Sequence, residues 1–107
     1  MKLLTDEIRR RLPALYATEK EKDPIVQVKF FSPWNGWRWF ATEFNGEDVF
    51  FGVVEGFETE WGYFSLKELE SVRVFGGVPA VERDLDFEPI PVSQLESKKA
   101  YALSQDD

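Results

Sequence analysis

The sequence predicts a single α+β domain: a strongly curved antiparallel sheet of about five strands, with an N-terminal helix and one or two short helices packed on it. Three observations lead there. Between Ile25 and Ser65, runs of aromatic and β-branched residues alternate with Gly-containing turns, and all four tryptophans fall in that stretch. Helix-capping residues stand on either side of it, at Thr5 and Ser65. At 107 residues the chain has room for one core only. The domain is expected over 1–97, with 98–107 a polar C-terminal tail.

Thr5 followed by Asp6 and Glu7 reads as a helix N-cap with carboxylates in the first turn. Leu4, Ile8 and Leu12 form the apolar stripe, and Pro13 ends the helix near Leu12 with Arg9, Arg10 and Arg11 in its last turn. Lys20-Glu21-Lys22-Asp23-Pro24 is a charged surface loop. Ile25 to Phe31 alternates with Val26, Val28 and Phe30 inward, the period of a strand, and Ser32 to Gly36 turns the chain.

Trp37 to Phe44 and Val49 to Glu55 flank Asn45-Gly46-Glu47-Asp48, a strong hairpin signal. Two registers are open. With a two-residue turn Phe44 faces Glu47; with a four-residue turn Phe44 faces Val49, Phe40 faces Val53 and Arg38 faces Glu55. The second is preferred, because it pairs opposite charges and puts Phe40, Thr42, Phe44, Val49, Phe51 and Val53 on one face. Trp37, Trp39, Ala41 and Glu43 then share the other face with Phe50, Gly52, Val54 and Gly56, large rings over glycines. A sheet apolar on both sides must be covered on both sides or curl strongly, and the glycines favour curvature.

Trp61 to Phe64 is the next strand. Ser65-Leu66-Lys67-Glu68 is a capping box that starts a helix from Leu66 to about Val72, with Leu66, Leu69 and Val72 inward. Phe75 to Pro79 breaks the chain, and Val81 to Phe87 alternates again as one strand whose outer face is Glu82, Asp84, Asp86 and Glu88. Ser93-Gln94-Leu95-Glu96 repeats the capping pattern before a last polar helix or frayed tail.

Composition excludes much chemistry. Without Cys there is no disulfide, thiolate metal site or thiol nucleophile; without His the commonest general base and transition-metal ligand are missing. No catalytic residue, metal ligand set or cofactor is therefore expected. A formal charge of −7 disfavours non-specific nucleic-acid binding. No apolar run suits a signal peptide or a membrane span, which points to a cytoplasmic protein.

Three constellations remain. Trp34, Trp37, Trp39, Trp61 and Tyr63 form a core, or a surface on which bases or sugars stack; six acids and no base between 43 and 60 argue for core or partner interface. The ladder Glu82, Asp84, Asp86 and Glu88, with side chains about 6.5–7 Å apart along one strand face, is either an edge guarded by charge or a site for a basic partner. Glu43 beside Trp37 and Trp39 is a weak candidate for a carboxylate-based hydrolase, which needs no His or Cys.

The ordered motifs Leu15-Tyr16-Ala17-Thr18-Glu19, Val28-Lys29-Phe30-Phe31-Ser32-Pro33-Trp34, Trp37-Arg38-Trp39-Phe40-Ala41-Thr42-Glu43-Phe44, Phe50-Phe51-Gly52, Gly62-Tyr63-Phe64-Ser65-Leu66-Lys67-Glu68-Leu69-Glu70 and Glu82-Arg83-Asp84-Leu85-Asp86-Phe87 resemble the bacterial domain of unknown function 2958 family. The resemblance implies an accessory domain often carried on plasmids and other mobile elements, alone or beside DNA-processing and antirestriction modules, and assigns no activity and no functional residue. The expectation is a non-enzymatic accessory protein that binds a protein partner with a basic surface, such as a DNA-handling or host-defence protein, through its acidic face and any exposed aromatics.

Overall fold

A computed structural model describes residues 2–96. Helix α1 spans Asp6–Arg11, and the Thr5 hydroxyl accepts the Ile8 amide at 3.2 Å as its N-cap. Strand β1, Ile25–Val26, is followed by β2, Val28–Phe31, then β3, Arg38–Phe44, β4, Val49–Glu55, and β5, Thr59–Ser65. Helix α2, Leu66–Ser71, is capped by Ser65, whose hydroxyl accepts the Glu68 amide at 3.1 Å. Four two-residue strands complete the chain: β6, Arg73–Val74, β7, Val78–Pro79, β8, Glu82–Arg83, and β9, Ile90–Pro91. A 3₁₀ turn, Val92–Gln94, follows.

The α+β class holds. One antiparallel five-stranded sheet runs in the order β5-β4-β3-β2-β8, and small two-stranded ladders join β1 to β9 and β6 to β7. The sheet is open, with β5 and β8 as its edges, so no barrel closes. Both faces of the sheet are covered. On one face Val28, Phe30, Trp39, Ala41, Phe44 and Phe50 pack beneath Leu3, Leu4, Leu66, Leu69 and Val81. On the other, Phe40 and Val53 pack beneath Val26, Val92 and Leu95. Each fully buried side chain of this size contributes about 1.5–3 kcal/mol.

The hairpin begins in the preferred register, with Arg38 opposite Glu55 and Phe40 opposite Val53. A β-bulge between Ala41 and Glu43 then shifts the pairing by one, so that Phe44 meets Phe50 rather than Val49. The cause lies in side-chain chemistry and space. Thr42 turns its hydroxyl to the Phe51 carbonyl at 3.1 Å, and Gly52 lets the β3 backbone approach so closely that a Cβ there would stand 1.9 Å from the Phe40 carbonyl oxygen. A one-residue slip exchanges faces. Phe44 thereby joins Trp39 in the first core, and Glu43 moves to the face of Phe51 and Val53, opposite Trp37 and Trp39.

Other boundaries also differ from expectation. The strand expected over 25–31 breaks at Gln27, whose amide bonds the Ala41 carbonyl at 2.9 Å, so Val26 faces the second core while Val28 and Phe30 face the first. Val72 is not a third inward helix residue, because α2 stops at Ser71 and leaves it 45% exposed. Ser93 lies within the 3₁₀ turn instead of capping an α-helix, its hydroxyl and amide both donating to Asp23. The tail expected over 98–107 lies outside the described residues.

Candidate functional site

The turn Ser32–Gly36 is built from short-range hydrogen bonds. The Ser32 hydroxyl accepts the Trp34 amide at 3.3 Å, the Asn35 side chain accepts the Trp37 amide at 2.9 Å, and Gly36 supplies a φ of +78°. This fixes Trp34 and Trp37 at one end of the sheet. The Trp37 ring lies over Gly56, where a Cβ would meet it at 2.6 Å, as the expectation of rings over glycines has it.

Two further turns bring rings to the same end. Phe57 occupies the tip of the β4–β5 turn, closed by the Gly56 amide on the Glu58 carbonyl at 2.9 Å, and packs edge-on to Trp37 at 5.2 Å. Phe75 occupies the tip of the β6–β7 turn and packs edge-on to Trp34 at 4.9 Å. Its φ of +51° is a left-handed conformation that costs a bulky side chain energy, and such outliers concentrate at functional sites. Phe57 is 92% exposed, Phe75 79% and Trp34 50%. Glu55 enters this end paired to Arg38 at 3.7 Å, with its other oxygen and the facing Thr59 hydroxyl buried and without partners among the described residues.

The five aromatic residues singled out in the sequence do not form one platform. Trp39 is core and Trp37 half-buried beside it at 6.0 Å. Trp61 and Tyr63 lie on the opposite face, flanking Phe51 at 5.6 and 4.9 Å. The Tyr63 phenol is held above its ordinary range, first by the neighbouring Tyr16 hydroxyl and then by burial and the charges of Glu43 and Glu19.

Glu43 is buried, and its oxygens accept the amides of Tyr16 at 2.8 Å and Thr18 at 2.9 Å, as well as the Thr18 hydroxyl. It pins the 15–20 turn to the sheet. Beside Trp37 and Trp39 it would have faced the other way; the bulge is the reason it does not.

The acidic strand expected over 81–87 also changes. Glu82 and Arg83 pair with β2, and the Asp84 amide still bonds the Lys29 carbonyl at 3.0 Å. Asp84 then folds back, its carboxylate accepting the Asp86 amide at 2.9 Å and pairing with Lys29 at 3.2 Å, so the chain turns where a strand was expected. Glu82 and Asp84 are half-buried, while Asp86 and Glu88 are exposed beyond the turn, and the four do not share a strand face. An Asp able to bond an amide two residues on competes with strand pairing, a preference that alternation alone hides. Among the described residues no group of three or more acids is placed to hold a metal ion.

A cleft of about 250 Å³ lies between α1, β2 and the 83–87 turn. Its polar groups already serve one another: Thr5 caps α1, Arg11 donates to the Gln27 carbonyl at 3.2 Å and pairs with Glu7, and Asp84 holds Lys29.

Phe57 and Phe75 are the exposed rings that sequence reading passed over. Their signal is a large apolar residue beside glycine at a turn tip, Gly56-Phe57 and Phe75-Gly76-Gly77, where a core residue has no place to go. No described helix is long and apolar enough to cross a membrane. No curated protein and no solved structure matches the chain significantly. The model of one family, described as protein of unknown function (DUF2958), matches residues 3–101, and the chain belongs to that family.

Proposed function

We propose that the chain is a non-enzymatic protein-binding module that receives its partner on the aromatic end of the sheet. The observation that carries this reading is the two ring pairs at that end of the sheet, Trp34 with Phe75 and Trp37 with Phe57, three of the four rings half or more exposed at three separate turn tips. Aromatic rings dominate the energetics of protein interfaces, and exposed apolar clusters rimmed by polar residues mark them. The rim here carries exposed carboxylates, with Glu58 in the β4–β5 turn and Glu60 on β5. Together with the overall −7, this favours a partner with a basic surface around an apolar patch, steered by charge and retained by the rings. A DNA-handling or host-defence protein in a mobile-element setting fits that description. The same charge argues against a nucleic-acid backbone lying there.

The reading shifts the epitope away from Glu82, Asp84, Asp86 and Glu88, whose expected ladder does not form. The test is photo-crosslinking in host lysate from position 57, followed by binding of the captured protein to variants. The double variant Phe57→Ala with Phe75→Gly is expected to lose at least tenfold in affinity, about 1.4 kcal/mol. Asp86→Lys with Glu88→Lys is expected to change mainly the salt dependence. Absence of any captured protein, or binding that survives loss of both rings, overturns the reading.

A further inference from the structure

Among the described residues the outer edge of β5 is long and has no strand beside it. Seven residues, Thr59–Ser65, pair in an uninterrupted ladder with β4, and among the described residues no strand lies on the other side. The opposite edge, β8, is two residues long. An antiparallel edge presents alternate N–H and C=O groups outward, and natural edges are blunted by shortness, Lys, Pro or a bulge. The β5 sequence Thr-Glu-Trp-Gly-Tyr-Phe-Ser has neither Lys, Pro nor a bulge, and one charge, Glu60, is its sole edge guard.

We propose that this edge pairs antiparallel with β5 of a second copy of the chain, about a twofold axis at Gly62. Gly62 is the midpoint of the strand, so this centre alone pairs all seven residues. It sets Trp61 opposite Tyr63 of the second copy, Thr59 opposite Ser65 and Glu60 opposite Phe64. The only charge in the strand therefore meets an aromatic ring and never its own copy, which a centre at Glu60 would impose. The axis runs perpendicular to the sheet, so the row formed by Phe51, Trp61 and Tyr63 continues on the same face of both copies. A Cβ at Gly62 would meet nothing within 4 Å, so none of the described residues overhangs the seam there.

The pairing joins two five-stranded sheets and points their aromatic ends in opposite directions, because the two β5 strands run antiparallel. It does not rest on the partner-binding reading above, and either can fail alone. With −7 on each copy, long-range repulsion opposes association at low salt while the strand contacts themselves are largely uncharged.

Light scattering coupled to size exclusion, run from micromolar to millimolar protein at low and high salt, tests the proposal. The dimer fraction is expected to rise with both. Gly62→Lys sets two like charges opposite each other at the axis and is expected to weaken association about fivefold, while circular dichroism confirms that the monomer still folds into its open space. Gly62→Cys introduces the only thiol in the chain, with paired Cα atoms about 4.5–5.5 Å apart, within disulfide reach. It is expected to oxidise to a covalent dimer much faster than Ser71→Cys on the exposed α2 surface. A chain that stays monomeric throughout overturns the proposal, including the case in which the edge serves a strand of another protein. A dimer unaffected by Gly62→Lys, or equal crosslinking of the two cysteine variants, also overturns it.

Discussion

Ser65 donates its hydroxyl to the Asp48 carboxylate at 2.7 Å while the same hydroxyl accepts the Glu68 amide, so the β3–β4 turn and the N-terminus of α2 share one hydrogen-bonded hinge. The other Asp48 oxygen accepts the Lys67 amide at 2.8 Å, and its backbone carbonyl accepts the Leu66 amide at 2.8 Å. One residue at the far end of a hairpin thus satisfies donors that a helix leaves unpaired in its first turn.

This arrangement makes stability depend on pH. The Asp48 carboxyl is held below its ordinary range, first by the Ser65 hydroxyl and next by the Lys67 amide. A group whose folded pKa is depressed stabilises the fold above its unfolded pKa, and that contribution is lost as pH falls through the folded value. Urea titrations at descending pH should show stability falling below the ordinary carboxylate range, with a shallower fall in Asp48→Asn. Ser65→Ala removes the cap as well and should cost about 1 kcal/mol near neutral pH. An identical acid limb in wild type and Asp48→Asn would contradict the assignment.

Glu43 offers a second prediction. Its carboxylate holds the amides of Tyr16 and Thr18, and Tyr16 takes a φ of +70° to present its N–H. Glu43→Gln keeps the shape but turns an N–H₂ toward donors, leaving at least one of them unpaired in a buried place. The expected loss is about 2 kcal/mol, with faster hydrogen exchange at the Tyr16 and Thr18 amides and little change at β4. A hydrolase role would instead leave stability unchanged and remove an activity.

Much of the fold was legible because its signals are local. Thr5 and Ser65 cap helices where their sequence neighbours say they do, and Arg38 faces Glu55 as charge pairing demands. What escaped depends on contacts between distant residues or on single backbone shifts. Alternation assumes an unbroken period of two, so one bulge at Thr42 exchanges the faces of Glu43 and Phe44, and a break at Gln27 does the same for Val26. The acid ladder failed because the Asp84 carboxylate prefers the Asp86 amide and Lys29 to an extended strand. The aromatic site was half legible: composition flagged Trp34 and Trp37, but the rings that lie against them, Phe75 and Phe57, come from turns 41 and 20 residues further along the chain, as the two ring contacts show.

Three glycines separate three physical roles. Gly52→Ala places a methyl 1.9 Å from the Phe40 carbonyl oxygen, where only backbone movement makes room, and should cost about 3 kcal/mol or prevent folding. Gly56→Ala meets the Trp37 ring at 2.6 Å, a side chain able to shift, and should cost about 1–2 kcal/mol while loosening the Trp37–Phe57 contact. Gly62→Ala enters open space in a strand and should stabilise by about 0.5 kcal/mol. Denaturant midpoints at constant m-value give the order; a reversal of Gly52 and Gly62 would remove the bulge explanation.

Phe75 tests whether the aromatic end serves binding or stability. Its left-handed backbone costs about 1–2 kcal/mol for a side chain with Cβ, and its ring is 79% exposed. Against that stands one edge-on contact with Trp34, about 0.5–1.5 kcal/mol. Phe75→Gly removes both terms, so stability should change by no more than about 0.5 kcal/mol, whereas Trp34 fluorescence should shift as its ring loses cover. Phe75→Ala keeps the backbone cost and loses the ring, so it should be the less stable of the two by about 1 kcal/mol. If thermal unfolding instead shows Phe75→Gly strongly destabilised, the ring belongs to the fold, and the exposed end loses its claim to be a surface shaped for a partner.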